Sequence, residues 1–361
     1  MNLHPVLRWV LWPLSIVYRA IARLRVWCYR CGLYKSKSLE QPVISVGNLT
    51  VGGTGKTPMV IWLAERALAK GGRIAILSRG HHSRRGLAGS HERSSDEVRL
   101  FLSRFGDRVP VGVDRDRYAA ALRLNERQKE SRIDCFLLDD GFQHLKLKRD
   151  ADIVLIDATN PFGAGFLLPA GPLREHASAL SRADFVVITR SDRSPAIESI
   201  VRRHSAAPIF YAQTRLRAVV EKDCPLPGSS VVEFRSRRYL VFCGIGNPQA
   251  FCDDLSRWGI QSLGSTFFRD HHRYTQPEAD QLERLAVAMG ATALLCTEKD
   301  IFNLDRVQFR LLPVHFCQID LQINDDERFL ASLSNVVIKR DAATEAAVAE
   351  VSSRQPGKDR R

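Results

Sequence analysis

Pro42-Val43-Ile44-Ser45-Val46-Gly47-Asn48-Leu49-Thr50-Val51-Gly52-Gly53-Thr54-Gly55-Lys56-Thr57-Pro58 changes character twice. It opens on a short β-type run, passes into a glycine-rich loop, and gives way to a helix-like stretch from Pro58 to Lys70. Strand, glycine-rich loop and helix in that order are the context a P-loop needs. Loop N–H groups and a helix N-terminus bind phosphate oxygens, the lysine reaches the β- and γ-phosphates, and the hydroxyl after it ligates Mg2+. The nucleotide-binding set is therefore Thr50, Val51, Gly52, Gly53, Thr54, Gly55, Lys56 and Thr57, with Thr50 standing where the G-x-x-x-x-G-K-[ST] pattern has glycine. Pro58 suits a first helical turn, where no N–H is required. A glycine-rich turn without a ligand is the competing reading, and the flanking strand and helix weigh against it.

A P-loop needs an aspartate at the end of a neighbouring apolar strand to hold Mg2+, directly or through water. Ile133-Asp134-Cys135-Phe136-Leu137-Leu138-Asp139-Asp140-Gly141 supplies Asp139 and Asp140. Adjacent carboxylates at a strand tip are costly unless a cation neutralises them. Asp152–Asp157 and Asp184–Thr189 are further continuous β-branched runs, as buried parallel strands show. Strands alternating with helical stretches predict an α/β fold, a P-loop NTPase-like doubly wound parallel sheet. Thr189-Arg190-Ser191-Asp192 is too loose a match to a base-reading T-K-x-D element to be assigned.

Farther on, 213–238 is charged and broken by Pro225, Pro227 and Gly228, which suits a connection or ribbon between domains. Tyr239–Cys243 then runs into Gly244-Ile245-Gly246-Asn247-Pro248 and a helix-like stretch to Trp258. With β-type runs at 292–296 and 313–319 and a helical stretch at 277–289, this predicts a second, smaller α/β domain over 239–335. The P-loop domain spans 36–212, and 336–361 reads as a disordered tail.

The first 35 residues form a separate segment. Residues 1–39 hold seven basic residues and no acidic one. Apolar residues recur at 3, 7, 10, 14, 17, 21, 24 and 28, one stripe of an ideal helix, with Arg8, Arg19, Arg23 and Arg30 opposite. The uncharged stretch between Arg8 and Arg19 is half of what a membrane span needs. Tyr18-Arg19-Ala20-Ile21-Ala22-Arg23 is a poor signal-peptidase site. Trp9, Trp12, Tyr18 and Trp27 favour an amphipathic, membrane-associated helix lying on the bilayer surface, against a helix docked on the protein's own core. Pro13 should kink it. The net charge of +13 favours an anionic partner. A nucleic-acid binder would spread basic and aromatic residues along a stripe; here the pattern concentrates in the N-terminal helix, so membrane is preferred and nucleic acid is not expected. Eight scattered cysteines, several inside apolar runs, read as reduced thiols, and Cys28-x-x-Cys31 lacks the second pair that a zinc site needs.

Asp96, in Ser94-Ser95-Asp96-Glu97, fits a helix N-cap, with Glu97 in the first turn. Asp270-His271-His272 allows a metal site, a proton-handling site or a polar turn, and Thr297-Glu298-Lys299-Asp300 is similarly open.

Taken together, Ser45–Pro58, Leu77-Ser78-Arg79-Gly80, Asp96-Glu97, Asp139-Asp140-Gly141-Phe142-Gln143-His144, Leu168-Pro169-Ala170-Gly171-Pro172-Leu173-Arg174-Glu175, Gly244-Ile245-Gly246-Asn247-Pro248, Asp270-His271-His272 and Thr297-Glu298-Lys299-Asp300 resemble the tetraacyldisaccharide 4′-kinase family. The resemblance covers residues 5–335 and rests on the order and spacing of these pieces. It implies ATP and Mg2+ as cofactors and a tetraacyldisaccharide 1-phosphate as lipid substrate. It implies transfer to the 4′-hydroxyl to give lipid IVA, at the cytoplasmic face of a Gram-negative inner membrane. By the same resemblance Asp96 is the catalytic base, oriented by His271 from the second domain, with Lys56 on the phosphates and Thr57, Asp139 and Asp140 holding metal. Glu97, Gln143, His144, Arg174, Glu175 and Asp270 are additional site candidates. The basic stretch His81–Arg93 meets headgroups or the substrate 1-phosphate, or is a solvated loop. The chain is expected to act as a monomer. The rival is a membrane-bound P-loop GTPase or ATPase switch that hydrolyses nucleotide without a lipid acceptor.

Overall fold

The protein is described by a computed structural model over residues 5–80, 95–128, 132–222 and 233–338. The stretch His81–Arg93 and all of the expected tail beyond 338 lie outside the described residues. In chain order the elements are α1 (Pro5–Arg30), β1 (Val43–Asn48), α2 (Lys56–Ala69), β2 (Ile74–Ser78), α3 (Asp96–Phe105), β3 (Val111–Val113), α4 (Arg117–Arg127), β4 (Cys135–Asp139), β5 (Ala151–Asp157), β6 (Phe185–Thr189), α5 (Pro195–Arg202), β7 (Ile209–Glu221), β8 (Arg238–Cys243), α6 (Pro248–Arg257), β9 (Gln261–Phe267), α7 (Gln276–Ala288), β10 (Ala293–Thr297), α8 (Glu298–Ile301) and β11 (Val314–Ile323). A last helix runs over 326–338.

All the strands join one 11-stranded sheet, ordered β3-β2-β4-β1-β5-β6-β7-β11-β10-β8-β9. Every neighbouring pair is parallel except β7–β11, which is antiparallel. The apolar runs account for the parallel part. β2, β5 and β6 are buried along their whole length, their central residues are apolar as burial on both faces requires, and their polar residues Ser78, Asp152, Asp157 and Thr189 lie at or near strand ends. β1 lies between β4 and β5, so the carboxylates that end both neighbours arrive beside the loop that follows β1.

Within the stretch expected as a connection or ribbon, residues 213–221 are strand, the C-terminal part of β7. β7 pairs with β11 from His315↔Glu221 to Ile323↔Ala212, with a register shift at Gln318/Ile319. This ladder welds the two halves into one sheet. The 326–338 helix then packs back on the P-loop half, where Phe329 meets Trp62, Phe185 and Phe210 at ring distances of 5.8, 5.5 and 5.0 Å. Residues 336–338, placed by the sequence in a tail, belong to this helix.

α1 is an unbroken helix through Pro13. It both docks and exposes an apolar face. Ser15 Oγ donates to the Leu167 carbonyl at 3.0 Å and accepts from the Ala170 N–H at 3.1 Å. Arg8 lies over the Phe166 ring, and Arg25 reaches the Gln143 carbonyl at 3.2 Å. The predicted stripe is left outside: Leu7, Val10, Leu14, Val17, Ile21 and Leu24 are all exposed, as are Trp9, Trp12 and Trp27. No helix among the described residues is long and apolar enough to cross a membrane.

Candidate active site

The loop between β1 and α2 is shaped by two left-handed glycines, Gly52 at φ 123° and Gly55 at φ 90°. Gly55 is also the N-cap of α2, so the helix starts at Lys56 with no side chain on its first N–H groups. Inside the loop, Asn48 Nδ2 donates to Thr54 Oγ1 at 2.8 Å and Thr189 Oγ1 donates to the Thr54 carbonyl at 3.2 Å. The outer side is pinned by the 166–174 segment, through Val51 N–H to Pro172 and Arg174 N–H to Leu49, both 2.7 Å. A loop held from both sides keeps its amides aimed without a ligand present.

Asp139 and Asp140 differ sharply. Asp140, at φ 49°, is gripped by Arg174 at 2.8 Å and lies 3.6 Å from Lys56 Nζ. Burial alone would raise its pKa, but Lys56 and Arg174 hold it down at about 2. Asp139 is buried, with Ser78 Oγ donating at 3.4 Å. Burial, then the neighbouring charges of Asp140 and Glu97, push its pKa up to about 6. Lys56 is itself pushed down by burial, with Asp140 opposing.

Asp96 and Glu97 open α3, capped by the Ser95 side chain at Val98 N–H. They meet residues of the other half. His271 Nδ1 donates to Asp96 Oδ2 at 2.9 Å, and Asn303 Nδ2 donates to the same oxygen at 3.1 Å. Glu97 pairs with Lys299 at 3.0 Å; against the cost of burial, Lys299 and then His271 bring its pKa down to about 2. His271 is raised, first by the Asp96 hydrogen bond. It sits at φ 59°, with its N–H on the Gly244 carbonyl. Four non-glycine residues among those described have positive φ, and Asp140, Arg190 and His271 are three of them. Such conformations persist where surrounding structure over-determines them, commonly at functional sites.

Four residues of Thr297-Glu298-Lys299-Asp300 have four jobs. Thr297 caps α8, Glu298 forms a two-pronged pair with Arg104 of α3, Lys299 reaches Glu97, and Asp300 accepts from Gly244 N–H and Tyr274 OH. His272 is drawn off to Glu278 and stacks on Phe268, so the two histidines do not act together. Asp270 is about half exposed, 3.9 Å from His271 Nε2.

The weaker candidates separate in the same way. Gln143 bonds the Asn48 carbonyl at 2.9 Å and lies 3.5 Å from Arg174, beside the loop. His144 turns to Arg117 at 3.3 Å and is held at about 4 by burial, then by Arg117. Glu175 does not face the phosphate cradle: Arg182 takes both its oxygens, at 2.8 and 2.9 Å.

Several contributors were not singled out from the sequence. Asp157 ends β5, on the other side of β1 from Asp139, and is held by Arg190 at 2.5 Å and Asn247 at 3.4 Å. Its signal, a carboxylate closing an apolar run, is the one that marked Asp139. Asn303 carries no motif, and only the fold brings it in; Ser78 lies in the Leu77-Ser78-Arg79-Gly80 piece, which assigns it no role. Gly246 is packed on the phosphate loop, where an added Cβ would stand 3.1 Å from both Gly52 Cα and Gly53 N.

A phosphate-binding loop with its lysine, strand-end carboxylates beside it, and a carboxylate–imidazole pair facing the same cluster define a P-loop phosphotransferase. The family model for tetraacyldisaccharide-1-P 4′-kinase matches residues 7–338. Among curated relatives, the tetraacyldisaccharide 4′-kinase of Geobacter metallireducens is 39% identical over 341 residues, covering 90% of this chain and 96% of its own. That of Geobacter sulfurreducens is 36% identical over 337 residues, covering 90% and 92%. The crystal structure of LpxK from Aquifex aeolicus in complex with ATP superposes with a TM-score of 0.70 at 30% identity, covering 92% of this chain and 99% of that one. The chain belongs to the tetraacyldisaccharide 4′-kinase family.

Proposed function

We propose that this chain transfers the γ-phosphate of ATP to the 4′-hydroxyl of a tetraacyldisaccharide 1-phosphate, giving lipid IVA, at the cytoplasmic face of the inner membrane. Family membership over nearly the whole chain supports the reaction. The observation that carries it is the Asp96–His271 pair, a carboxylate held by an imidazole and so placed to take the proton of an attacking hydroxyl. The exposed apolar face of α1 supports the membrane surface, since burying such a face in the headgroup boundary is favourable by about 25 cal/mol per Å2.

In this reading Lys56 and the loop amides neutralise charge on the phosphates, and Arg174 holds Asp140 in place. Mg2+ fits the residues present: Thr57 and Asp139 are buried oxygen donors, and the raised Asp139 carboxyl is the one a divalent cation would relieve. Bound there, the ion would offset charge on the transferring phosphoryl group. Asp140, already paired with two cations, is the weaker metal candidate. Asp96 Oδ2 receives His271 and Asn303, which leaves Oδ1 to accept the proton of the sugar hydroxyl. His271, raised by its partner, stays cationic to higher pH and steadies the carboxylate. The pair spans the two halves, so we assign them to two lobes, 36–212 and 239–335, that close over substrate.

The test is transfer of label from γ-labelled ATP to detergent-dispersed tetraacyldisaccharide 1-phosphate with Mg2+. Wild type should label the lipid, and Lys56→Ala should lose about 10²–10³ in kcat. Free labelled phosphate with unlabelled lipid would refute the kinase reading and favour a hydrolytic switch.

A further inference from the structure

On the flank of the phosphate loop away from Asp139, β5 and β6 end at Asp157 and at Thr189-Arg190. Thr189 and Arg190 hold consecutive carbonyls of that loop: Thr189 Oγ1 donates to Thr54 at 3.2 Å, and Arg190 Nη1 donates to Gly53 at 3.4 Å. Arg190 stands at φ 60°, a conformation that persists only where the surroundings fix it. Here its N–H donates to the Ala212 carbonyl at 2.8 Å, and Nη1 donates to Asp157 Oδ2 at 2.5 Å. Asp157 is fixed in turn. Its Oδ1 accepts from Thr159 N–H and Oγ1, and its Oδ2 accepts from Asn247, the N-cap of α6.

One contact in this cluster stops short. Arg190 Nε lies 3.8 Å from Asp254 Oδ2, on α6 of the second half. The side chains are only 15% and 4% exposed, yet the distance is beyond hydrogen-bond reach. Arg190 Nε and Asp254 Oδ1 are both buried without a hydrogen-bond partner. Arg257, one turn along α6, stands 3.2 Å from that Oδ1 without bonding it and donates instead to Gln213. Burial raises the Asp254 carboxyl, and Arg190 is the first charge to oppose it. A buried guanidinium N–H left unpaired beside a buried carboxylate is rare in folded proteins. Here the two belong to opposite halves, and an approach of about 1 Å would join them.

The same approach reaches the reacting groups. Gly246, next to the α6 cap, packs on Gly52 and Gly53, and the Gly244 carbonyl holds the His271 N–H. An inward step of α6 with its leading loop therefore acts on the phosphate loop and on the Asp96–His271 pair together.

We propose that Arg190 is a positioning residue that relays closure of the second lobe to the phosphate loop: Asp254 takes its unpaired Nε as the lobes close, and the guanidinium, held from both sides, fixes the Gly53 carbonyl. The relay rests on the two-lobe reading above and adds the contact through which acceptor and nucleotide sense each other. A guanidinium suits this task because its planar fork serves several acceptors in fixed directions at once, which an ammonium does not.

The experiment measures the Kd of β,γ-imido ATP with Mg2+ in detergent, with and without saturating tetraacyldisaccharide 1-phosphate, and takes the ratio as the coupling. Wild type is compared with Asp254→Asn, Arg190→Lys, Arg190→Gln and the Arg190→Gln/Asp254→Asn double variant, with thermal unfolding as the folding control. In wild type the acceptor should tighten the nucleotide by about fivefold or more. Asp254→Asn should keep the Kd without acceptor within about twofold while bringing the coupling below about twofold. Arg190→Lys, which keeps the charge but lacks Nε, should lose the coupling as well. The double variant should lose no more coupling than either single one, as a shared contact requires. Coupling of wild-type size in Asp254→Asn or Arg190→Lys overturns the relay and leaves the closing lobes intact. Equal weakening with and without acceptor makes the cluster a static brace and also overturns it. A wild-type Kd indifferent to the acceptor refutes lobe closure itself, and the relay with it.

Discussion

Asp139 and Asp140 share a strand tip and a side-chain type, yet their neighbours send their pKa values in opposite directions, to about 6 and about 2. The consequences for stability have opposite sign. Asp140 is depressed, so its contribution is present above the ordinary carboxylate range and lost as pH falls toward about 2. Asp139 is raised: between the ordinary range and about pH 6 the folded state holds a proton that the unfolded state releases, so stability falls as pH rises through that window. Mg2+ should cancel this cost. Asp139→Asn is therefore expected to raise the Tm of the metal-free protein at pH 8 while removing most activity. Its Tm should also lose its response to Mg2+. Thermal unfolding at pH 5 and pH 8, with and without the ion, reads the effect; a variant less stable than wild type at pH 8 without metal would contradict it.

At the scale of elements, α3 delivers Asp96 and Glu97, and what fixes α3 is its grip on α8. Arg104 and Glu298 are both almost fully buried, side chains 8% exposed, with two hydrogen bonds at 2.9 and 2.8 Å. Removing Glu298 leaves Arg104 only Asp320 at 3.7 Å and the Ile319 carbonyl at 3.1 Å, so the loss approaches but stays below the about 3–5 kcal/mol of a buried charge left unpaired. Glu298→Ala should lower the urea midpoint accordingly and reduce kcat, because the base loses its register against His271. Arg104→Met with Glu298→Leu should recover most of the stability, since replacing both charges removes the desolvation penalty as well. Equal destabilisation in the single and double variants would show that packing, not charge, holds the contact. The same short helix illustrates a limit of sequence reading. Thr297-Glu298-Lys299-Asp300 is visible as a polar tetrapeptide closing a strand, but nothing in it says that Thr297 stays within the turn, that Glu298 and Lys299 both reach α3, or that Asp300 turns to Gly244 and Tyr274.

On the scale of the whole molecule, two halves predicted as separate units share one sheet and meet again over the phosphate loop. The β7–β11 ladder is one junction, the contacts of Asp96, Glu97 and Arg104 with His271, Lys299 and Glu298 are a second, and Gly246 against Gly52 and Gly53 is a third. Gly246 has no positive φ, so Gly246→Ala probes contact rather than backbone strain. A methyl group there should push the loops apart by a few tenths of an ångström. KM for ATP is expected to rise severalfold, about 1 kcal/mol of binding, with little change in Tm. Unaltered ATP kinetics would mean that the halves do not need this approach during turnover.

The phosphate loop, the buried parallel strands and the apolar stripe of α1 were legible because each is a local pattern: fixed spacing, side-chain period and backbone freedom act within a few residues. Sequence spacing also marked Asp139, Asp140 and Lys56, and family resemblance singled out Asp96 and His271. What the chain alone did not decide was partnership. It did not separate Asp139 from Asp140 or send Glu175 to Arg182. Nor did it bring Lys299 and Asn303, more than 200 positions along the chain from their carboxylates, into the site. It also did not reveal that the predicted connection would pair as a strand across both halves. Those outcomes depend on burial and on charges that meet only after the chain has folded, and electrostatic interactions at a few ångströms carry no trace in local spacing.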